Sequence, residues 1–273
     1  MSDESSSTTA DVINAVAAVA KEVPIYPDMV QPAAKELSKG LVTIAKTVNL
    51  ALAPLEGVVW GYEKIKNIFI PKVEERLKNV PLENIVTPKI SVAGPIVEAL
   101  RYTGSEEALS DLYANLLAAS MDRDTVTTAH PAFIEIIKQL TPDEAKVIAL
   151  FPRDPFMPVI DIRQGDKSKP QDGVFTAFTN FSLLGEMAGC EHLDLVPAYI
   201  DNLIRLGLME IPDRLSYSKP GIYDQLENSE LVKAYKEAIE NKGPDMEIDL
   251  LRKFLVITAL GKQFAKVCVV PKS

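Results

Sequence analysis

Between Gly94 and Lys146 the chain reads GPIVEALRYTGSEEALSDLYANLLAASMDRDTVTTAHPAFIEIIKQLTPDEAK, in which one helix-start signal follows another. Pro95 and Pro131 sit where the first residue of a helix would be, because proline's missing N–H is one of the amides a helix start leaves unbonded. Ser105, followed by Glu106 and Glu107, offers a cap and an acidic first turn. Thr141-Pro142-Asp143-Glu144 is a full capping box with proline at the first helical position. Helices are therefore expected over about 95–103, 105–122 and 131–140, with a capped helix from Pro142 to Phe151. Ile96, Val97 and Leu100, then Leu109, Leu112, Tyr113, Leu116 and Leu117, recur at three- and four-residue spacing and form the expected core. No catalytic constellation lies in this stretch.

Upstream, residues 1–10 are polar and Ser/Thr-rich, a disordered tail by composition. A helical domain is expected over 11–140. Leu37, Leu41, Ile44, Val48 and Leu52 place an apolar stripe on a helix running to about Ala53, and Pro54 opens another that breaks or kinks at Pro71 and continues into VEERLKNV. The apolar run Leu41 to Trp60 is interrupted by Lys46, Asn49, Pro54 and Glu56, and so falls short of the roughly 20 apolar residues that a membrane span needs. The 41–70 segment has the makings of an interfacial hairpin. Leu55, Val58 and Val59 are apolar, Trp60 and Tyr62 suit an interface, and Lys64 and Lys66 close the end. The same pattern describes a hairpin buried in a helical bundle, which is the expected resting state.

From about 141 to 273 the rhythm changes. Pro152 to Gly173 reads as a long loop with one short strand at Val159-Ile160-Asp161-Ile162. Short helices are expected around 182–189 and 195–206. Gly207 running into Leu208-Met209-Glu210-Ile211, and Phe254 to Ile257 running into a Thr258 cap, are similar to the way winged-helix domains leave their second recognition-pair helix and return from the wing. A charged helix near 225–240 reads as an insertion in that wing. The expected fold is mainly α: an N-terminal helical domain plus a C-terminal winged-helix-like α+β domain with a small β-wing.

A base-reading helix presents several Arg, Lys, Asn or Gln side chains with phosphate anchors nearby. The helix 197–208 offers Asn202 and Arg205, with Asp201 beside them; Arg214, Lys219, Lys167 and Lys169 lie in flanking loops. Such a helix is weakly equipped for DNA, and a protein-docking or structural role is the better expectation. The formal charge of −9 points the same way, with its excess of carboxylates spread over both halves.

Two cysteines, Cys190 and Cys268, make no disulfide framework, and MSDESSSTTA lacks the basic and apolar regions of a secretory signal. A reducing bacterial cytoplasm follows. Cys190-Glu191-His192 reads as an inter-helix turn with a buried thiol and a surface histidine, since a structural zinc site wants four ligands. His130, before Pro131, reads as a capping or turn residue. The carboxylate pairs Glu74-Glu75, Glu106-Glu107, Asp122 with Asp124, and Asp143-Glu144 fall in helix first turns or on solvated faces. There is no phosphate-binding glycine loop, nucleophile elbow or HExxH. No catalytic, metal or cofactor site is expected.

The phrases ALAPLEGVVWGYEKIK (Ala51 to Lys66), AGPIVEALRYTG (Ala93 to Gly104), LYANLLAASMD (Leu112 to Asp122) and HPAFIEIIKQLTPDEAK (His130 to Lys146) occur in that order. In them the chain resembles the bacterial Abi-alpha family, a domain of unknown function linked to abortive infection. The likeness runs over most of Met29 to Leu208 and fades around 152–175 and after Ile211. It implies non-enzymatic phage defence in the cytoplasm, with the 41–70 hairpin moving to the inner membrane on activation. A protein partner or a second copy of the chain is the expected contact. A winged-helix DNA-binding regulator and an interaction scaffold are the alternatives. The family's motifs carry no established catalytic or binding residue to transfer.

Overall fold

The computed structural model describes residues 65–213 and 220–271. These form two compact units: residues up to Gln139 together with those from Val267 onward, and Leu140–Lys266. The first is mostly helical. The second is a mixed α/β domain built on a curled sheet.

In the first unit a π-helical turn, Ile65–Phe69, leads into α1 (Ile70–Leu77), with Pro71 in the first turn of α1 where the winding changes. Then come α2 (Ile90–Thr103), α3 (Glu107–Ser120) and α4 (Ala132–Ile137). Helix α3 packs against the other three. That position explains its burial on almost every side, from Leu109 to Ser120. The expected core residues, Ile96, Val97, Leu100, Leu109, Leu112, Tyr113, Leu116 and Leu117, are all buried. Asn115, buried on α3, donates through Nδ2 to the Cys268 carbonyl at 2.6 Å and accepts from Arg76, which also reaches Asp111 at 2.9 Å. These bonds tie the end of the chain to the middle helix.

Two start signals act differently from expectation. Pro95 lies inside α2, whose first residue is Ile90. The earlier start buries Val92 and Ala93, which helps offset the cost of a proline in the second turn. Ser105 does not cap α3; its N-cap is Glu106, with no side-chain cap bond. By contrast, His130 acts as a turn residue as expected, its Nδ1 accepting from the Ala132 amide at 3.1 Å.

In the second unit the capping box forms as written. The Glu144 amide donates to Thr141 Oγ1 at 3.2 Å, and the Thr141 amide donates to Glu144 Oε2 at 2.6 Å, opening α5 (Pro142–Ile148). The short strand expected at Val159-Ile160-Asp161-Ile162 is the middle of a longer one, β1, eleven residues from Phe156 to Asp166, which takes much of the expected long loop and turns into β2 (Val174–Phe181). Helices α6 (Leu184–Ala188) and α7 (Val196–Arg205) follow, then β3 (Met209–Glu210), α8 (Asp224–Glu227), α9 (Glu230–Glu240), β4 (Met246–Ile257) and α10 (Ala259–Phe264). The antiparallel sheet has the order β2-β1-β4-β3, so it is larger than the small wing the sequence suggested.

The periodicity of β2 explains why it was not foreseen. Phe175, Phe178 and Phe181 are three residues apart, yet they oppose Gln164, Ile162 and Ile160, which are two apart. Each step holds one extra residue on β2, a bulge that returns the next phenylalanine to the same face. Phe178 and Phe181 pack there against a core of Ile160, Ile162, Tyr223, Leu226 and Val232. The inserted helices α8 and α9 thus cover one face of the sheet, with Tyr235 meeting the Phe178 ring edge-on at 5.9 Å.

Where β3 joins β4, Thr258 Oγ1 donates to the Gly207 carbonyl at 2.6 Å and accepts from the Gly261 amide at 2.9 Å, capping α10. Gly207 itself sits at φ 72°, which favours glycine. A Cβ on Gly261 would lie 2.1 Å from the Leu208 carbonyl oxygen and 2.7 Å from Ile257 Cγ1. Gly261→Ala is therefore expected to cost about 2 kcal/mol in urea unfolding, because backbone and not a flexible side chain must move. An unchanged midpoint would show that α10 is free to shift.

Candidate functional site

Helix α7 carries the sequence-selected surface residues, and the structure surrounds it with polar groups on two sides. Val196, Tyr199, Ile200 and Leu203 recur at three- and four-residue spacing and face inward. The polar side chains Asp201, Asn202 and Arg205 lie on the remaining arc.

The first polar cluster centres on Asp143, at the second position of α5 and only 4% exposed. Its Oδ2 accepts from the amides of Glu191 (2.9 Å) and His192 (3.0 Å) and from Tyr199 Oη (3.3 Å). Its Oδ1 accepts from Lys146 Nζ at 2.8 Å. Burial alone would raise the carboxyl pKa, but the bonds from Lys146 and the two amides outweigh it and hold it at about 2. Burial, and after it the same carboxylate, push Tyr199 up to about 12. Next to Asp143, Glu144 completes the capping box with one oxygen and accepts from Asn202 Nδ2 with the other, at 2.7 Å. Asn202 Oδ1 in turn accepts from Arg205 Nε at 2.9 Å and Nη2 at 2.6 Å.

The second cluster joins the sheet to the other flank of α7. Asp161 Oδ1 pairs with Lys253 Nζ at 2.6 Å and accepts the Asn180 amide at 2.8 Å. Lys253 also donates to Asn180 Oδ1 at 2.7 Å, and Asn180 Nδ2 donates to Asp201 Oδ1 at 2.8 Å. Asn180 takes φ 55°, a left-handed conformation that asparagine tolerates better than most side chains. The chain thereby turns out of β2 while its amide and side chain bind on both sides.

Of the expected DNA-contact residues, Asn202 and Arg205 come together on α7, with Asn202 held inward by Glu144. Arg214 and Lys219 lie outside the described residues. Lys167 pairs with Glu247 at 3.2 Å on the β1–β2 hairpin side, and Lys169 lies 4.0 Å from Asp166. Of the membrane-hairpin residues, Leu55, Val58, Val59, Trp60, Tyr62 and Lys64 lie outside the described residues, and Lys66 enters only through the backbone of the first π-helical turn. Among the described residues, no helix is long and apolar enough to cross a membrane.

Cys190-Glu191-His192 does form an inter-helix turn, but its thiol is half-buried instead of fully buried. The Cys190 thiol faces the Asp143 carbonyl at 3.7 Å, and burial, then the Asp143 charge, raise its pKa. It is therefore poorly ionised near neutrality. Cys268, fully buried, is raised further by desolvation. Among the described residues, no group of three or more His, Cys, Asp or Glu is placed to hold a metal ion. The sequence identified Asp143 and Glu144 only as first-turn acids. Their partners lie about fifty residues away, and no local pattern announces them.

A carboxyl held at about 2 when folded and near its ordinary value of 3.8 when unfolded stabilises the fold fully above pH 3.8. That contribution fades as pH falls from there through about 2. Asp143→Asn is thus expected to lower stability by about 1–2 kcal/mol at neutral pH and to flatten the acid limb of a pH-dependent unfolding curve. An unchanged acid limb would remove Asp143 from its central place.

Residues 61–268 match the family described as Abortive infection alpha. No curated protein matches. One solved structure, an uncharacterized protein from the hydrocarbon-degrading marine bacterium Alcanivorax borkumensis SK2, is 19% identical, with 54% of this chain and 96% of that chain covered and a TM-score of 0.35. The match over 61–268 spans helices and sheet alike, and on that ground the chain belongs to the abortive infection alpha family.

Proposed function

We propose that the protein serves phage defence through abortive infection and acts by binding, without making or breaking covalent bonds. The defence role rests on the family it belongs to. The binding role rests on the second unit. There the order α5, β1, α6, α7, β3, β4 and the pairing β1-β4-β3 support a winged-helix reading, in which β2 is added at one edge and α8 and α9 are inserted in the wing. Helix α7 takes the place of the recognition helix.

The observation that carries the reading is the direction of α7's polar side chains. Tyr199, Asp201 and Asn202 are bonded to Asp143, Asn180 and Glu144, so they contribute to the fold before any partner arrives. Reading bases would require breaking these bonds, and Asp201 on the same helix would repel phosphate. The wing residues that would flank a duplex are replaced by helices packed on the sheet. A protein-docking winged helix fits this arrangement better than a DNA reader. The membrane hairpin suggested by residues 41–70 is a second route within the same defence role, since an Ala/Val-rich segment with Trp60 and Tyr62 near one end and Lys64 and Lys66 closing it suits an interface.

A phage challenge of bacteria carrying the gene, at low and high phage-to-cell ratios and with a membrane-potential dye, is the test. Survival at low ratio with culture collapse at high ratio is expected; depolarisation that disappears in Trp60→Asp would assign the killing to the hairpin. Normal plaque counts across a varied phage panel would overturn the defence role. Separately, a duplex titration at low salt is expected to show no binding; salt-sensitive binding that weakens with Arg205→Ala would replace protein docking by DNA binding.

A further inference from the structure

Helices α6 and α7 meet at a corner that is both stiff and unusually apolar on its outside. Met187 on α6 is 56% exposed, and Leu193 and Leu195, in the single 3-10 turn before α7, are 47% and 43% exposed. A Cβ on Gly185 would lie 2.5 Å from Val196 Cγ2 and 2.9 Å from Leu193 Cδ2, so glycine lets the turn close onto α6. Gly189 ends α6 at φ 66°, and the amides of Glu191 and His192 are fastened to Asp143. The corner is held in place before any partner arrives, which lowers the ordering cost of binding.

Carboxylates outnumber cations around it. Glu186, Glu191 and Asp194 are exposed in the same short stretch, and none has an ion-pair partner among the described residues. The nearby cation, Lys146, is paired with Asp143 and donates to the Gly189 carbonyl at 3.3 Å; it also feels the Glu191 charge, but forms no salt bridge with it. Two exposed helical carboxylates elsewhere do form salt bridges, Glu135 with Lys138 and Glu230 with Lys233. Scattered exposed apolar residues need no explanation, but three on one rigid corner beside three carboxylates without a salt bridge describe a complementary surface.

We propose that this corner docks a basic amphipathic segment of a partner protein. Its apolar side chains cover Met187, Leu193 and Leu195 while its lysines or arginines meet Glu186, Glu191 and Asp194. A second copy of a chain with formal charge −9 would bring like charge to the corner, and duplex DNA would do so more strongly. The inference deepens the reading of the second unit as a protein-docking module and rests on it.

The test titrates the full chain with a short labelled peptide of leucine and lysine in amphipathic helical order, read by fluorescence anisotropy at low salt. Saturable binding is expected, weakened about tenfold by Glu186→Lys with Asp194→Lys and to a similar degree by Met187→Gln with Leu195→Gln. Glu237→Lys with Glu240→Lys, on α9, should leave it unchanged. These substitutions replace exposed side chains, and circular dichroism checks that each variant is folded. No binding, or equal weakening by the α9 pair, overturns the proposal. So does a dimer, seen on sedimentation of the chain alone, that the Met187/Leu195 variant disperses, since the corner would then belong to a second copy. Peptide binding in a protein that gives no protection in the phage challenge would support the corner while removing the defence role, so the two failures are distinct.

Discussion

The Asp143 carboxylate is the interaction on which the second unit depends. It is nearly buried, it sits in the first turn of α5, and it gathers two amides from the α6–α7 turn, a tyrosine from α7 and a lysine from its own helix. A buried carboxylate without such partners would be neutralised or would cost several kcal/mol. With them, three helices are fixed by one side chain. The partner amides belong to Glu191 and His192, in the turn the sequence already marked as joining two helices; their contribution is made by the backbone.

A second constraint, the pairing of β4, sets how the unit presents itself. β4 runs along the whole of β1 and meets β3 only at Ile257 and Val256. The insertion between β3 and β4 folds back over the sheet face carrying Ile160 and Ile162, where Tyr223 donates to the Lys253 carbonyl at 2.8 Å and stacks under Arg252. The opposite side of the same strands holds Asp161 and Lys253, which reach α7 through Asn180. Both faces are therefore occupied from within the unit. The outside of the α6–α7 corner stays open, with Met187, Leu193 and Leu195 exposed there.

Helices were legible wherever their signals are local. Thr141 and Glu144 form a box within four residues, Thr258 caps α10 through an amide three residues on, and the apolar stripe of α3 has helical spacing; each needs nothing from the rest of the chain. Pro95 failed for a related reason. A start signal competes with burial, and Val92 and Ala93 drew α2 back past its proline. Of the candidate site, Asn202 and Arg205 were legible as polar residues on a helix, but the Glu144 contact that restrains Asn202 was not.

Sequence alone thus determined the helical character of the first unit, the capped starts of α5 and α10, the glycine turn out of α7 and a helix near 225–240, because these rest on backbone bonds and spacings within a few residues. Tertiary structure decided the sheet. Phe175, Phe178 and Phe181 do not alternate as a strand should; only pairing with β1, nineteen residues before and closed by bulges, puts them on one face. It also decided that Asp143, Asp161 and Asn180 work as structural connectors, since a polar group's role is set by the partners that long-range folding brings to it, and those partners leave no period in the sequence.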